Sequence, residues 1–198
     1  MRARVTLMIS IVFFWITQAT VTSQSQRQDP TKPELKATAP PDAQRTSALI
    51  ADEVRHQLVT MPYYGVFDWL EGQVLPNGTV TLQGQVTRPT TKSDAENRVK
   101  KLESVSRVVN EIEVLPISPS DDAIRIAMYR EIFKYDSPLF RYATLAVPPI
   151  HIIVKNGRVT LKGFVASDAD KQLVFTAARN VPSVFEVNNE LKVDGDNY

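Results

Sequence analysis

The strongest constraint on the fold of this chain is an internal duplication. Segment 77–86 reads NGTVTLQGQV and segment 156–165 reads NGRVTLKGFV. The match continues without a gap at an offset of 79, with 14 identities between the 38 positions of 77–114 and 156–193. This period is longer than the units of roughly 20–50 residues that build solenoids. The duplication therefore predicts two tandem globular modules.

Each copy shows the same order of elements. Asn77-Gly78 and Asn156-Gly157 separate alternating apolar runs, which predicts hairpins with type I′ turns. An amphipathic helix follows each hairpin, a third strand closes each copy, and a helix precedes it (near 46–61 and 121–136). We therefore predict an α+β fold of two tandem αββαβ modules, each a small three-stranded sheet with two helices.

Two finer features follow from single residues. Gly84 and Gly163 lie inside the second strand of their hairpins, which indicates a bulge or the close approach of another backbone. Asp168 is the expected N-cap of the second module's later helix, and Thr91 or Ser93 that of the first module's copy.

The N-terminus has the pattern of a secretory signal peptide. Arg2 and Arg4 precede a 12-residue apolar run, and small residues lead to a cleavage site near Ser23. An uncleaved inner-membrane anchor is the alternative. The expected organisation is a signal peptide (1–23), a flexible Pro/Gln-rich linker (24–43), module one (44–115), a linker (116–120) and module two (121–194).

Composition excludes several kinds of site. The chain has no cysteine and only two histidines, so thiolate chemistry and a histidine-rich metal centre are not expected. A formal charge of +1 gives no reason to expect a nucleic-acid partner. His56, on a helix, and His151, at the start of a strand, are interpreted as structural or solvated. We expect no enzymatic activity, no cofactor and no metal.

At this point the residues resemble a known family. The N-G-x-V-T-L-x-G-x-V core, the helix after it and the V-x-x-V-x-N-x-(I/L)-x-V ending look like the BON domain, over both modules. The resemblance implies an αββαβ fold, a periplasmic or other envelope location, no catalysis, and association with phospholipid membranes or envelope proteins. It makes Asn77, Gly78, Gly84, Asn156, Gly157 and Gly163 structural motif residues.

The opening helices of the two modules differ. In module one, Ile50, Val54, Leu58 and Met61 form one apolar stripe, and the opposite face is mainly polar. In module two, Ile124, Met128, Ile132 and Tyr135 form the corresponding stripe, but apolar and basic residues occupy the opposite side as well. This candidate membrane or partner surface comprises Ile126, Tyr129, Arg130, Phe133, Lys134, Phe140 and Arg141, with Arg125 at its edge.

Three things could cover this second stripe: an anionic lipid surface, module one, or a second copy of the chain. The sequence leaves the choice open. The expected function is binding of anionic phospholipid in envelope maintenance or in protection against osmotic and other stress. The alternative is a protein-interaction or structural module whose stripe is buried between modules or subunits.

Overall fold

The computed structural model describes residues 41–145 and 148–194. The predicted signal peptide and nearly all of the predicted linker 24–43 lie outside these residues. The first described helix begins at Pro41, so the last three residues assigned to that linker are helical. Within the described residues, no helix combines the length and the apolar character needed to cross a bilayer.

Module one contains two helices and a mixed sheet. Its elements are α1 (Pro41–Val59), β1 (Trp69–Val74), β2 (Thr79–Val86), α2 (Pro89–Val99), β3 (Arg107–Asn110) and β4 (Glu113–Val114). The central strand β2 pairs antiparallel with β1 and parallel with β3 and β4.

Module two repeats this arrangement with one additional short helix. Its elements are α3 (Pro119–Ile132), α4 (Phe140–Ala143), β5 (Ile150–Lys155), β6 (Arg158–Val165), α5 (Asp168–Arg179), β7 (Glu186–Asn189) and β8 (Lys192–Val193). Strand β6 is central and pairs antiparallel with β5 and parallel with β7 and β8. The predicted α+β fold in two modules is confirmed.

The predicted third strand of each module is broken by an asparagine. The Asn110 side-chain oxygen accepts a hydrogen bond from the Ile112 N–H (3.2 Å), and its amide group donates to the Lys92 carbonyl in α2 (3.1 Å). Asn189 makes the same two bonds, to Leu191 N–H and to the Lys171 carbonyl. The asparagine therefore has a structural reason to occupy the same position in both copies, because it joins the interrupted strand to the preceding helix.

The opening helices bury the predicted stripes. Ile50, Val54, Leu58 and Met61 lie in the core of module one, as do Ile124, Met128 and Ile132 in module two. Tyr135 was expected in the second stripe but is 87% exposed. Helix α3 ends at Ile132, four residues before the predicted end, so the helical periodicity no longer applies at Tyr135.

The two hairpin turns are not alike. Asn156 and Gly157 both have positive φ (53° and 73°), the type I′ geometry that was predicted. In module one only Gly78 has positive φ, and the Gly78 N–H donates to the Leu75 carbonyl (3.0 Å). Pro76 fixes a negative φ at the first turn position, so this loop is one residue longer and the type I′ prediction is wrong there.

The strand glycines have the predicted role. Gly84 and Gly163 adopt φ of +123° and +111°. A Cβ on Gly84 would lie 2.0 Å from the Trp69 carbonyl oxygen, and one on Gly163 would lie 1.9 Å from the Pro149 carbonyl oxygen. Another backbone therefore approaches each glycine too closely for any side chain.

The cap predictions need correction in both modules. Ser167 caps α5, because its hydroxyl accepts from the Asp170 N–H (3.2 Å), and Asp168 is the first helical residue. Helix α2 starts at Pro89 after Arg88, whose side chain makes no capping bond. Proline at the first helical position lacks an N–H that would need a partner, so this end requires less capping.

Candidate binding surface on module two

A buried carboxylate fixes the start of α3, which carries most of the candidate surface. Ser118 caps the helix by accepting from the Asp121 N–H (3.2 Å). The Asp121 carboxylate in turn accepts from the N–H groups of Asn156 (2.9 Å) and Gly157 (2.8 Å) in the β5–β6 turn. Because both of its oxygens are engaged, Asp121 stays buried while it holds α3 against the hairpin.

The apolar members of the predicted surface separate into exposed and buried residues. Ile126 and Tyr129 are 48% and 39% exposed on α3, whereas Phe133 is 6% exposed and belongs to the core of module two. Phe133 follows the last helical residue and has φ −100° and ψ 38°, so its side chain leaves the outer face and turns inward. Phe140 is half-buried and its ring lies 5.2 Å from that of Tyr135.

The basic members of the predicted surface are also of two kinds, because some are paired with carboxylates and one is not. Arg141 lies 2.5 Å from the buried carboxylate of Asp170, and Lys134 lies 2.7 Å from the Glu131 carboxylate. Arg130 is exposed and has no ion-pair partner among the described residues. Arg130 is thus the cation of this set that is free to meet an external anion.

Arg125, expected at the edge of the surface, is buried instead. It donates to the Val154 carbonyl oxygen (2.6 Å) and pairs with Asp122. Its side chain points toward strand β5 from the first half of α3. Arg125 therefore stabilises the packing of α3 on the sheet and does not contribute to the outer surface.

The short helix α4 anchors the segment between α3 and β5. Leu139 and Tyr142 are buried in the core of module two. The Tyr142 hydroxyl donates to the Asp170 carboxylate (2.9 Å) and accepts from the Ala166 N–H (2.8 Å). The ion pair of Arg141 with Asp170 belongs to this same network, so it has a structural explanation.

A segment of module one covers part of the surface. Residues 63–68 lie along the outer edge of β5, where the Ile152 N–H donates to the Val66 carbonyl (2.7 Å). Val66 and Phe67 pack against the core of module two, and the Phe67 ring meets the Tyr129 ring edge-on at 6.3 Å. The sequence left module one open as one of three covers for this stripe, but it did not identify segment 63–68 as the part that makes the contact, because nothing in that segment repeats in module two.

His151 is at the centre of the same interface. It is 4% exposed, and its Nδ1 lies 3.2 Å from the Gly65 carbonyl oxygen, which makes Nδ1 the protonated donor of the neutral ring. The rings of Trp69 and Tyr64 lie 5.0 and 5.4 Å away. Burial lowers the pKa of His151 and raises that of the Tyr64 hydroxyl, because it disfavours the charged form of each group.

A polar cleft of about 500 Å³ lies on the far side of this interface, between β4 and the open face of the second sheet. Each of its three basic side chains is paired with a carboxylate: Lys155 with Glu113 across the two modules (2.6 Å), Lys162 with Glu190 (3.2 Å) and Arg158 with Glu186 (3.2 Å). Among the described residues, no group of three or more acidic, histidine or cysteine side chains could hold a metal ion. The basic side chains of the cleft are therefore already engaged in ion pairs.

The two-module architecture, the paired hairpin glycines and the interrupted third strands together agree with one family. A family model for the BON domain matches residues 47–116 and 137–195, more than half of the chain. The chain belongs to the BON domain family. BON domains are a non-catalytic family found in envelope proteins, which supports a non-enzymatic, envelope-associated protein.

Two of the solved structures that are similar to this chain are of one bacterial protein. The C-terminal domain of CdsD, a structural protein of the type III secretion system of Chlamydia trachomatis, is 15% identical, covers 73% of this chain and 96% of its own, and has a TM-score of 0.28. A second CdsD structure is 18% identical, covers 75% and 94%, and has the same TM-score of 0.28. No curated protein sequence matches this chain significantly.

Proposed function

We propose that this BON protein binds anionic phospholipid surfaces through a patch on α3 formed by Ile126, Tyr129 and Arg130, and that it acts in envelope maintenance or stress protection. The observation that carries the proposal is the juxtaposition of two exposed apolar side chains with an exposed arginine that has no described ion-pair partner. Apolar burial and attraction to headgroups are the two forces that bind a helix to an anionic membrane surface.

The equivalent face of module one supports the proposal by contrast. When the buried stripes Ile50–Val54–Leu58 and Ile124–Met128–Ile132 are superposed in register, the positions of Ile126, Tyr129 and Arg130 are occupied by Asp52, Arg55 and His56. All three residues of module one are exposed and polar. Module one thus shows that the opening helix of this fold needs no apolar residue at these positions. The exposed apolar residues of module two at the same positions are therefore not explained by the fold.

The patch is smaller than the full set of candidate residues, because Phe133 is buried and Arg141 and Lys134 are already paired. One free arginine contributes on the order of 1 kcal/mol near an anionic surface. We therefore expect weak, reversible binding that falls with salt, since screening shortens the reach of the charge.

The test uses the protein from residue 24 onward and vesicles of phosphatidylcholine with and without phosphatidylglycerol. The wild type should co-sediment with the anionic vesicles and dissociate at high salt. The double variant Ile126→Asp, Arg130→Glu should bind at least about tenfold more weakly, because it reverses one charge, adds a second negative charge and removes an apolar contact.

The matched control is Leu49→Asp, Arg45→Glu on α1. Both positions are exposed, Leu49 at 72%, and the change in net charge is the same. If this control loses as much binding as the α3 variant, attraction is governed by total charge and the α3 patch is not the site. Absence of binding to either vesicle would remove the lipid proposal altogether.

The second candidate is a structural or protein-interaction module, and a specific contact favours it. Phe67 of module one already covers one edge of Tyr129, and Phe133 is in the core. If the protein is such a module, Ile126 and the exposed part of Tyr129 form an interface with another protein or with a second copy of the chain. Phe67→Ala should then lower the melting temperature and leave vesicle binding unchanged, whereas Ile117→Ala, at a 97% exposed position, should change neither.

The location is part of the proposal as well. We place the mature protein in the periplasm, released after cleavage near Ser23, with retention at the inner membrane by an uncleaved segment as the alternative. N-terminal sequencing of protein from the soluble and membrane fractions of the native cell distinguishes the two. A soluble protein that begins near residue 24 supports cleavage, and a membrane-bound protein that begins at Met1 supports the anchor.

A further inference from the structure

One histidine lies where segment 63–68 of module one meets strand β5 of module two. His151 opens strand β5, and its Nδ1 reaches the Gly65 carbonyl of module one at 3.2 Å. The next residue, Ile152, donates its N–H to the Val66 carbonyl at 2.7 Å. These two bonds attach the outer edge of β5 to segment 63–68, so the imidazole lies within the seam that joins the modules.

We propose that protonation of His151 loosens this seam, so that the two BON modules are held together at neutral pH and separate from one another under acid conditions. The neutral ring suits its place: it donates one N–H to Gly65, and the tryptophan and tyrosine rings occupy its surroundings. An imidazolium carries a full charge, and a 4% exposed position gives that charge little contact with water, so burial disfavours it even though the backbones of Asp68 and Gly65 accept hydrogen bonds from the ring.

The charged and titratable groups around His151 do not offset the free-energy cost of a charge on the buried ring. From segment 63–68, Tyr64 is neutral, and the Asp68 carboxylate already accepts from the N–H (2.7 Å) and the hydroxyl (3.0 Å) of Thr87. From β1, Glu71 accepts from the Trp69 indole. From β6, the cation Lys162 is the direct cross-strand neighbour of His151 and pairs with Glu190 (3.2 Å).

Asp68 favours the charged imidazole, but desolvation outweighs it, and the pKa of His151 is lowered from its usual 6.5. The joined state therefore binds fewer protons than a separated state in which the ring is solvated. Its stability is complete above about pH 6.5 and decreases as the pH falls through the lowered pKa, because the separated state takes up the proton first.

The chain allows a direct measurement because it has no cysteine and only two histidines. Cysteines introduced at the exposed positions Lys101, after α2, and Arg179, at the end of α5, carry spin labels that report the distance between the modules. The protein starts at residue 24, which keeps every described residue and removes the predicted signal peptide. Far-ultraviolet circular dichroism at each pH reports whether the modules stay folded.

We expect a narrow distance distribution from about pH 8 to pH 6.5, which becomes broader and longer toward about pH 4 while the circular dichroism is unchanged. His56→Gln, which removes the exposed histidine of α1, should keep this transition, and His151→Gln should abolish it. A distribution that does not change with pH in the wild type, or a transition that persists in His151→Gln, would overturn the proposal.

A second measurement is needed in case the modules of the His151→Gln variant are separated at every pH. In the wild type, the proton resonance of the His151 ring, assigned by its retention in His56→Gln, gives the titration midpoint of this side chain directly. The midpoint should coincide with that of the distance change. If His151 titrates while the distance stays constant, its protonation does not control the seam. The assay involves no lipid, so its outcome is independent of the proposed membrane binding.

Discussion

The two modules satisfy the same backbone requirement with different side chains. After the central strand, the N–H of Thr87 in module one donates to the carboxylate of Asp68 (2.7 Å). The equivalent N–H of Ala166 in module two donates to the hydroxyl of Tyr142 (2.8 Å). Proline occupies position 148, which corresponds to Asp68 in the hairpin register and offers no side-chain acceptor. The inserted helix α4 supplies the acceptor instead.

This difference shows how an insertion becomes part of a core. The segment between the opening helix and the first strand is 60–68 in module one and 133–149 in module two. The longer segment adds Leu139 and Tyr142 to the core of module two and a buried carboxylate network around Asp170. In module one the shorter segment passes outward and covers the edge of β5 in its neighbour. The two connecting segments thus have different roles, although the sheets that follow them are alike.

The largest expected effect on stability concerns the strand glycine that both modules share. Gly163→Ala should destabilise module two by more than about 4 kcal/mol, because the new Cβ would lie 1.9 Å from a backbone oxygen that cannot move without breaking the hairpin. Gly84→Ala should cost module one a similar amount. Urea unfolding of both variants measures this, and a cost below about 1 kcal/mol at either position would show that the hairpin relaxes.

A second prediction concerns the core residue that α4 adds. Leu139→Ala should lower the free energy of unfolding by about 2–5 kcal/mol, the range for large-to-small changes at fully buried positions. The control is Leu145→Ala at a 52% exposed position just beyond α4, which should change stability by less than about 0.5 kcal/mol. Equal effects at the two positions would mean that α4 is not part of the core. Thermal and urea denaturation supply both values.

The third prediction concerns the Tyr142 hydroxyl, which accepts the hydrogen bond that Asp68 accepts in module one. Tyr142→Phe should cost about 1–3 kcal/mol, because the Ala166 N–H loses its acceptor while the ring still fills its place. Amide exchange at Ala166 should accelerate in the same variant. If stability and amide exchange both stay at wild-type values, water satisfies the Ala166 N–H, and the Tyr142 hydroxyl does not have the role that Asp68 has in module one.

The smallest expected effects concern the helix starts. Ser167→Ala removes the cap of α5 and should cost about 1 kcal/mol. Arg88→Ser places a cap before α2, where none exists, and should give a gain smaller than that, because the arginine also lies over the Tyr63 ring at 5.4 Å. Destabilisation by both substitutions in urea unfolding would show that α2 already has an optimal start.

The candidate surface could be predicted only in outline. Helical periodicity correctly gave the outer positions of Ile126, Tyr129 and Arg130, because these lie within the regular part of α3. It failed at Phe133, where the helix has ended, and at Arg141, whose partner Asp170 is 29 positions away in the chain. Periodicity describes one element at a time and contains no information on which distant residue will meet it.

The sequence by itself determined the duplication, the strand and helix order, the core-facing stripes and the glycines whose neighbours exclude a side chain. These depend on local patterns that recur in both copies. Only the tertiary structure decided that Asp121 holds a turn 36 residues away, that Tyr142 replaces Asp68 and that His151 lies in the seam between the modules. Each of those contacts joins segments far apart in the chain, and the burial that gives them their energy exists only after the modules have folded together.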